Sequence, residues 1–541
     1  MTHDRTDMVT PARGRVALPA LASGVGLALS LPPWGWWILA FPSAGLLWWR
    51  LAGLRPRTRL WAGWLAGLGC YVPGLMWARS FTIPGALALM ALEAAFMAVA
   101  CLAVPAGPVV ARALAFPSAM TLAEAARMRW PLGGLPIGGV FLGQAGGPVL
   151  GVSRLGGPLG ITAVVYLGGV GVGALVEGVV RAGRDGARVR TFARSDPGHT
   201  DDRVGTVAGA MAGLGALLLT GTVALVAVVS VAVAADHAPD GGPAVGTVST
   251  AAVQGGGARG FKKSQVDPAV VLAAQLSATQ LLQVQDGGHT PQLVLWPEDV
   301  VSLGTALGRS PEEGALSGLA RSLQTTLVVG VTETVSPTAF RNEMVAWGPD
   351  GTLVARYEKV HRVPFGEYVP DRGFFSHLAN LSAVPLDAVP GTGTGLMDTP
   401  AAPLGAMISY EVFYADRGRA AVRSGAQLLI VPTNTSSYAT AQVPTQEVAA
   451  AEVQAVQQGR DLLQAAPTGY SAAITNRGTL LERSVLGPAQ IIRATLARRV
   501  GWTVYVRFGD LLPVGLAVLG LVAGWLLAGR RRRRDRRPAS G

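Results

Sequence analysis

Apolar residues are gathered into long runs in this chain. Residues 16–31, 36–53, 60–78, 84–110, 161–180, 204–235 and 511–528 are almost unbroken apolar stretches, and 113–126 is a weaker one. A helix rises about 1.5 Å per residue, so a run of about 20 apolar residues matches the hydrocarbon thickness of a bilayer. The pattern predicts about eight membrane-spanning helices, the fifth (113–126) being the least regular. Behind Arg13 and Arg15 the first run could pass for a cleaved signal peptide. No small-x-small site follows it, however, and the second run begins almost at once, so a retained helical hairpin is expected.

Between the last two runs lies one long polar stretch, residues 237–510, the size of a single globular domain. Within it, short runs of Val, Ile and Leu alternate with longer helical patterns, as in layered α/β folds with buried sheets. Strands are predicted at 293–296, 326–331, 404–409 and 427–432, a hairpin turn at Trp347-Gly-Pro-Asp-Gly351 and a helix at 445–464. The Gly- and Pro-rich stretch 131–159 fits a loop or a re-entrant segment equally well. Residues 181–203 read as a polar connection. The predicted organisation is a multi-pass α-helical membrane domain (1–236, about seven spans), an α/β domain (237–510), and a final span with an Arg-rich tail (511–541).

Composition agrees with membrane insertion: only 14% of residues are charged, while 50% are apolar. The net charge of +12 does not indicate nucleic acid, because the arginines sit beside apolar runs rather than among aromatic and polar residues. With the N-terminus in the cytoplasm, Arg55, Arg57, Arg59, Arg112, the group from Arg181 to Arg203 and the tail Arg530–Arg534 with Arg536 and Arg537 fall on the cytoplasmic side. Arg79, Arg127 and Arg129 fall on the other. The polar domain is thereby expected outside the cytoplasmic membrane. Cys70 and Cys101 both lie in apolar runs, which excludes a disulfide framework or thiolate metal site in the polar domain.

Three chemically useful side chains follow predicted strands. Leu-Val-Leu-Trp-Pro-Glu298 ends in a carboxylate, Arg-Tyr-Glu-Lys359 in an amine, and Gly-Ala-Met-Ile-Ser409 in a hydroxyl. Strand ends are where open α/β sheets build their sites. Each residue alone reads equally well as a loop charge or a small strand-end residue. Together they form an acyl-transfer set: a base for the nucleophile's proton, a nucleophile and a cation for the oxyanion.

Trp296-Pro-Glu298, Tyr357-Glu-Lys-Val-His-Arg-Val-Pro-Phe-Gly-Glu-Tyr-Val-Pro370, Ile408-Ser-Tyr-Glu411 and Gly425-Ala-Gln-Leu-Leu-Ile-Val-Pro-Thr-Asn434 resemble the nitrilase superfamily, and more closely its membrane-bound branch, the apolipoprotein N-acyltransferases. The resemblance covers almost the whole chain. It implies an αββα sandwich, with Glu298 as general base, Lys359 as oxyanion donor, Ser409 at the nucleophile position, and Glu367, Tyr410, Glu411 and Asn434 in support. It also implies a two-step reaction in which an acyl chain passes from a phospholipid to the enzyme, and then to the N-terminal amine of a lipoprotein's diacylglyceryl-cysteine. The family pattern has cysteine where this chain has Ser409, which turns the expected thioester into an oxygen ester. Asn434-Thr-Ser-Ser-Tyr438 and Ala466-Pro-Thr-Gly-Tyr470 also depart from it; Ser436 and Ser437 are alternative hydroxyls.

Other motifs are weak. Gly151-Val-Ser-Arg-Leu-Gly156 has the wrong spacing for a nucleophile elbow. His3, His199, His237, His289, His361 and His377 lack metal-ligand spacing, so neither a metal nor another cofactor is expected, and His361 reads as orienting the lysine segment. Glu93, Glu124 and Glu177 fall within predicted spans and must face the bundle interior or an interface; Glu124 is the one with a possible functional role. The expected function is N-acyl transfer to lipoproteins. The alternatives are a catalytically silent homologue that binds phospholipid or lipoprotein, and a membrane-tethered amidase or lipid hydrolase.

Overall fold

The computed structural model describes residues 13–195, 200–257, 266–285, 290–377, 381, 384–438 and 440–535; His3, His199, His289, Arg536 and Arg537 lie outside the described residues. The N-terminal half is a bundle of helices α1 (Arg13–Ser30), α2 (Ala40–Arg50), α3 (Pro56–Gly74), α4 (Ile83–Ala103), α5 (Val109–Arg127), α6 (Ser153–Ser195) and α7 (Thr200–Asp236). Among the described residues, five helical segments are long and apolar enough to cross a membrane: Ile83–Ala103, Val109–Arg127, Leu150–Arg184, Ala208–Asp236 and Leu511–Arg530. Small residues let the helices approach closely. At Gly24 an added Cβ would stand 2.0 Å from the Ala66 carbonyl oxygen on α3, so α1 and α3 can cross here only without a side chain.

Two apolar runs take a form the pattern did not give. Residues 36–53 make a 3-10 turn (Trp37–Leu39) and the 11-residue α2, shorter than a crossing helix. The run 84–110 is interrupted after Ala103, where Pro105 and Pro108 separate α4 from α5. Residues 131–159 fold into 3-10 turns (Val140–Gln144 and Leu150–Val152) and the first turn of α6, which is non-helical at Gly156 and Gly157. The stretch expected as a polar connection, 181–203, instead continues α6 as helix to Ser195, since its Arg and Ala residues are good helix formers.

The polar region holds two mixed sheets. The first contains β1 (Gly246–Gln254), β2 (Leu293–Leu295), β3 (Val301–Leu303), β4 (Thr326–Ser336), β5 (Ala339–Trp347), β6 (Leu353–Glu358), β7 (Asp387–Ala388) and β14 (Gln490–Arg498). Its order is β14-β1-β2-β4-β5-β6, with β3 beside β4 and β7 beside β5. The second contains β8 (Leu396–Asp398), β9 (Pro403–Ala406), β10 (Leu428–Pro432), β11 (Leu462–Ala465), β12 (Ala472–Ile474) and β13 (Leu480–Arg483), in the order β13-β12-β11-β10-β9-β8. Period-two alternation sends Leu293, Leu295, Leu428 and Ile430 into the core between the sheets. Val294 and Trp296 face α8 (Pro268–Gln285) and α9 (Pro311–Leu323); Leu429 and Val431 face the side of α11 (Ala415–Arg423) and α12 (Gln442–Gln458). The result is the expected αββα sandwich. The helix predicted over 445–464 ends at Gln458, because Gly459 turns left-handed (φ +64°) and the chain re-enters the sheet as β11.

The remaining helices are α10 (Arg372–Phe375), α13 (Val504–Phe508) and α14 (Leu511–Asp535). Helix α12 is both an outer layer of the sandwich and its seat on the bundle. Gln442 Nε2 donates to the carbonyls of Pro73 (2.7 Å) and Gly74 (3.1 Å), while its Oε1 accepts from the Trp77 amide. Gln446 Oε1 accepts from the Gly138 amide at 3.0 Å. The Trp77 indole meets Tyr438 edge-on at 5.5 Å. These contacts fix the sandwich with its strand ends close to the bundle.

Candidate active site

Lys359 follows β6 and is almost fully buried. Its Nζ lies 2.8 Å from Glu298 Oε1, after β2, and 2.8 Å from Glu367 Oε1, in the loop after Lys359. Asn342 on β5 donates to the same two oxygens at 2.8 and 3.0 Å. Burial alone would lower the ammonium's proton affinity, but the two carboxylates outweigh it and hold Lys359 charged, above the ordinary lysine range. An ammonium has three N–H groups, of which two are used; among the described residues the third has no acceptor. Glu298 can lie this close to β4 because Gly330 has no side chain: a Cβ there would stand 2.2 Å from the Pro297 carbonyl oxygen.

Ser409 opens a 3-10 turn after β9 with φ +48°, a left-handed conformation that a non-glycine residue adopts at a cost of about 1–3 kcal/mol. Its hydroxyl donates to Glu447 Oε1 on α12 at 3.3 Å and lies 3.2 Å from Thr433 Oγ1, which donates to Glu447 Oε2 at 2.7 Å. No hydrogen bond joins Ser409 to Glu298 or Lys359 among the described residues. The two segments nonetheless meet, since one carboxylate, Glu411, bonds both the Val360 amide after Lys359 and the Ile408 amide before Ser409.

Glu411 ties the two halves together. It is fully buried, and Oε1 accepts from the amides of Val360 (2.8 Å) and His361 (3.0 Å) just after the lysine. Oε2 accepts from the Ile408 amide at 2.9 Å just before the serine, and the Tyr357 hydroxyl donates to both oxygens. Tyr410 reaches the bundle: its hydroxyl and that of Tyr414 both lie within hydrogen-bond distance of the Gly134 carbonyl in the 131–159 segment. Asn434 closes a local turn by accepting from Ser436, which engages that alternative hydroxyl away from the lysine. His361 stacks on Tyr414 with ring centroids 4.1 Å apart. Ser153 donates to the Leu150 carbonyl, a local helix-end bond.

Sequence reasoning missed Asn342, Thr433 and Glu447. Glu447 had a signal: in α12 it is a carboxylate on a helix that Val443, Ala450, Ala451 and their neighbours bury on nearly every side. Among the membrane glutamates, Glu93 and Glu124 both pair with Arg127, while Glu177 pairs with Arg112 and Arg181.

Residues 23–171 match the apolipoprotein N-acyltransferase N-terminal domain family and residues 250–501 the carbon-nitrogen hydrolase family. The apolipoprotein N-acyltransferase of Mycolicibacterium smegmatis is 28% identical over 93% of this chain and 83% of its own length. That of Azotobacter vinelandii is 29% identical over 97% and 96%. Among solved structures, a Saccharomyces cerevisiae member of branch 10 of the nitrilase superfamily aligns with 47% of this chain and 91% of its own, at 19% identity and a TM-score of 0.36. With both halves matched in order and relatives of that one name spanning nearly the full length, the chain belongs to the apolipoprotein N-acyltransferase family of the nitrilase superfamily.

Proposed function

We propose that this membrane acyltransferase moves an acyl chain from a phospholipid to Ser409, and from Ser409 to the N-terminal amine of a diacylglyceryl-modified lipoprotein. The observation that carries this reading is a charged Lys359 with one N–H unused among the described residues, whose segment is tied through Glu411 to a hydroxyl on a left-handed turn. Ser409 is the nucleophile, and Lys359 meets the oxyanion of each tetrahedral intermediate. Glu298 Oε2 has no donor among the described residues. It takes a proton from the incoming amine, and that proton passes to the Ser409 oxygen as the ester breaks. Glu367 and Asn342 hold Lys359 and Glu298 in register, Glu411 fixes the spacing between the lysine and serine segments, and Tyr410 and Asn434 shape the surrounding loops.

Residues 1–236 and 511–541 carry the spans, and 237–510 lie outside the cytoplasm; the arginine distribution supports this orientation. The exceptional Arg127 fits it because Glu93 and Glu124 neutralise its charge. Both substrates are lipid-anchored, so they reach a site seated on the bundle by diffusing in the bilayer plane. Incubating the purified protein with acyl-labelled phospholipid and a diacylated lipopeptide tests the reading. Label is expected on the lipopeptide amine. Its release as free fatty acid, or binding without any transfer, would replace acyl transfer with hydrolysis or with a silent binding role.

A further inference from the structure

Ser409 has a carboxylate of its own. Glu447, Thr433 and Ser409 form a closed triangle, each buried to nine-tenths or more. The single proton of Thr433 goes to its shorter contact, Glu447 Oε2 at 2.7 Å. Ser409 then faces two acceptors, Thr433 Oγ1 at 3.2 Å and Glu447 Oε1 at 3.3 Å, and of the two only the carboxylate can hold a transferred proton. Glu298, by contrast, has no hydrogen bond to Ser409 among the described residues, and its Oε1 is bonded to Lys359 and Asn342. We infer that Glu447 is the general base that takes the proton of Ser409 in the acylation half of the reaction, an assignment that rests on Ser409 being the nucleophile.

In this step Ser409 Oγ bonds to the ester carbonyl carbon of the phospholipid as its proton passes to Glu447 Oε1. The carbonyl electron pair moves onto oxygen and is met by Lys359. Collapse restores the carbonyl and breaks the bond to the glycerol oxygen, which leaves with the proton held by Glu447. The products are an acyl ester on Ser409, a lysophospholipid and a regenerated carboxylate. No further reactant is needed.

A hydroxyl requires more of its base than a thiol does, because a thiol already ionises near pH ~8.5. Burial supplies that basicity. It pushes Glu447 up to about 8, against the opposing hydrogen bonds from Thr433 and Ser409 and with the negative charge of Glu298 adding to it. Lys359 lowers it, and Tyr438 also faces the group. Only the ionised carboxylate accepts a proton, so acylation must quicken as pH rises through about 8 and then level off. Lys359 stays charged throughout that range.

The test measures acyl-enzyme formation by mass spectrometry on the full-length protein in phospholipid vesicles with a labelled acyl chain and no amine, from about pH 6 to pH 9. Glu447→Gln keeps the shape of the side chain, and should acylate about a hundredfold or more slowly and lose the rise through pH 8. Glu447→Asp should recover part of the rate, and Glu298→Gln should keep the rise. The assignment is overturned if Glu447→Gln acylates within about threefold of wild type with an unchanged pH profile while Ser409→Ala is not acylated. If Ser409→Ala is acylated as fast as wild type, or wild type is never acylated, the nucleophile reading falls first and this assignment with it. Should Glu447→Gln fail to insert, a wild-type profile that is flat through pH 8 overturns the assignment.

Discussion

Two buried cations in this protein each sit between two glutamates, one in the bundle and one in the sandwich. Arg127 at the end of α5 donates to Glu93 (3.0 Å), to Glu124 (2.7 and 3.0 Å) and to the carbonyls of Leu135 and Pro136. Its planar fork is saturated, and it pins the 131–159 segment to the helices. Lys359 is equally buried and also meets two carboxylates, but it keeps an N–H free among the described residues, and Glu447 with its bonded hydroxyl lies within range of its charge. A cation whose donors are all engaged holds structure, whereas one with a spare donor can meet a charge that appears only during reaction.

Substituting each cation should separate the two roles. Lys359→Met removes the oxyanion donor, so acyl transfer per folded molecule should fall by about a thousandfold, read as the initial rate of lipopeptide acylation. Arg127→Met leaves Glu93 and Glu124 unpaired and should cost about 3–5 kcal/mol of stability, seen as a lowered Tm and a reduced folded yield. The molecules that do fold should keep most of their activity. If the two variants exchanged these phenotypes, the division between holding and reacting would be wrong. Asn342→Leu keeps the cation but removes the donor shared by Glu298 and Glu367, and transfer should slow by about tenfold. Tyr410→Phe removes one of two hydroxyls on the Gly134 carbonyl and should change stability by about 1 kcal/mol or less, with activity little altered.

The residues that sequence could reach were those tied to a local pattern. Glu298, Lys359 and Ser409 each follow a predicted strand, which made them candidates, whereas Glu367 came only from the family motif that it shares with the lysine. Asn342 was out of reach because its importance comes from strand pairing: it stands in mid-β5 and acquires its partners only when β5 lies beside β4 and β6. Glu447 and Thr433 meet Ser409 across separate elements, 38 and 24 residues away along the chain. Asn434 was read as part of the site from its motif, yet its side chain is turned to Ser436. The bundle was legible in order but not in length, because prolines and glycines cut apolar runs where composition alone sees continuity. Continuation of α6 past Arg181 shows the converse, a charged stretch that remains helix.

The most direct test of the account is to locate the acyl group. Protein incubated with labelled phospholipid, quenched before any amine is added and digested, should carry the label on the peptide containing Ser409, as an ester that lipopeptide then discharges. Ser409→Ala should carry none, and Ser409→Cys should carry a thioester that transfers at least as readily. Label on another residue, or acylated lipopeptide formed by Ser409→Ala at the wild-type rate, would contradict Ser409 as the nucleophile.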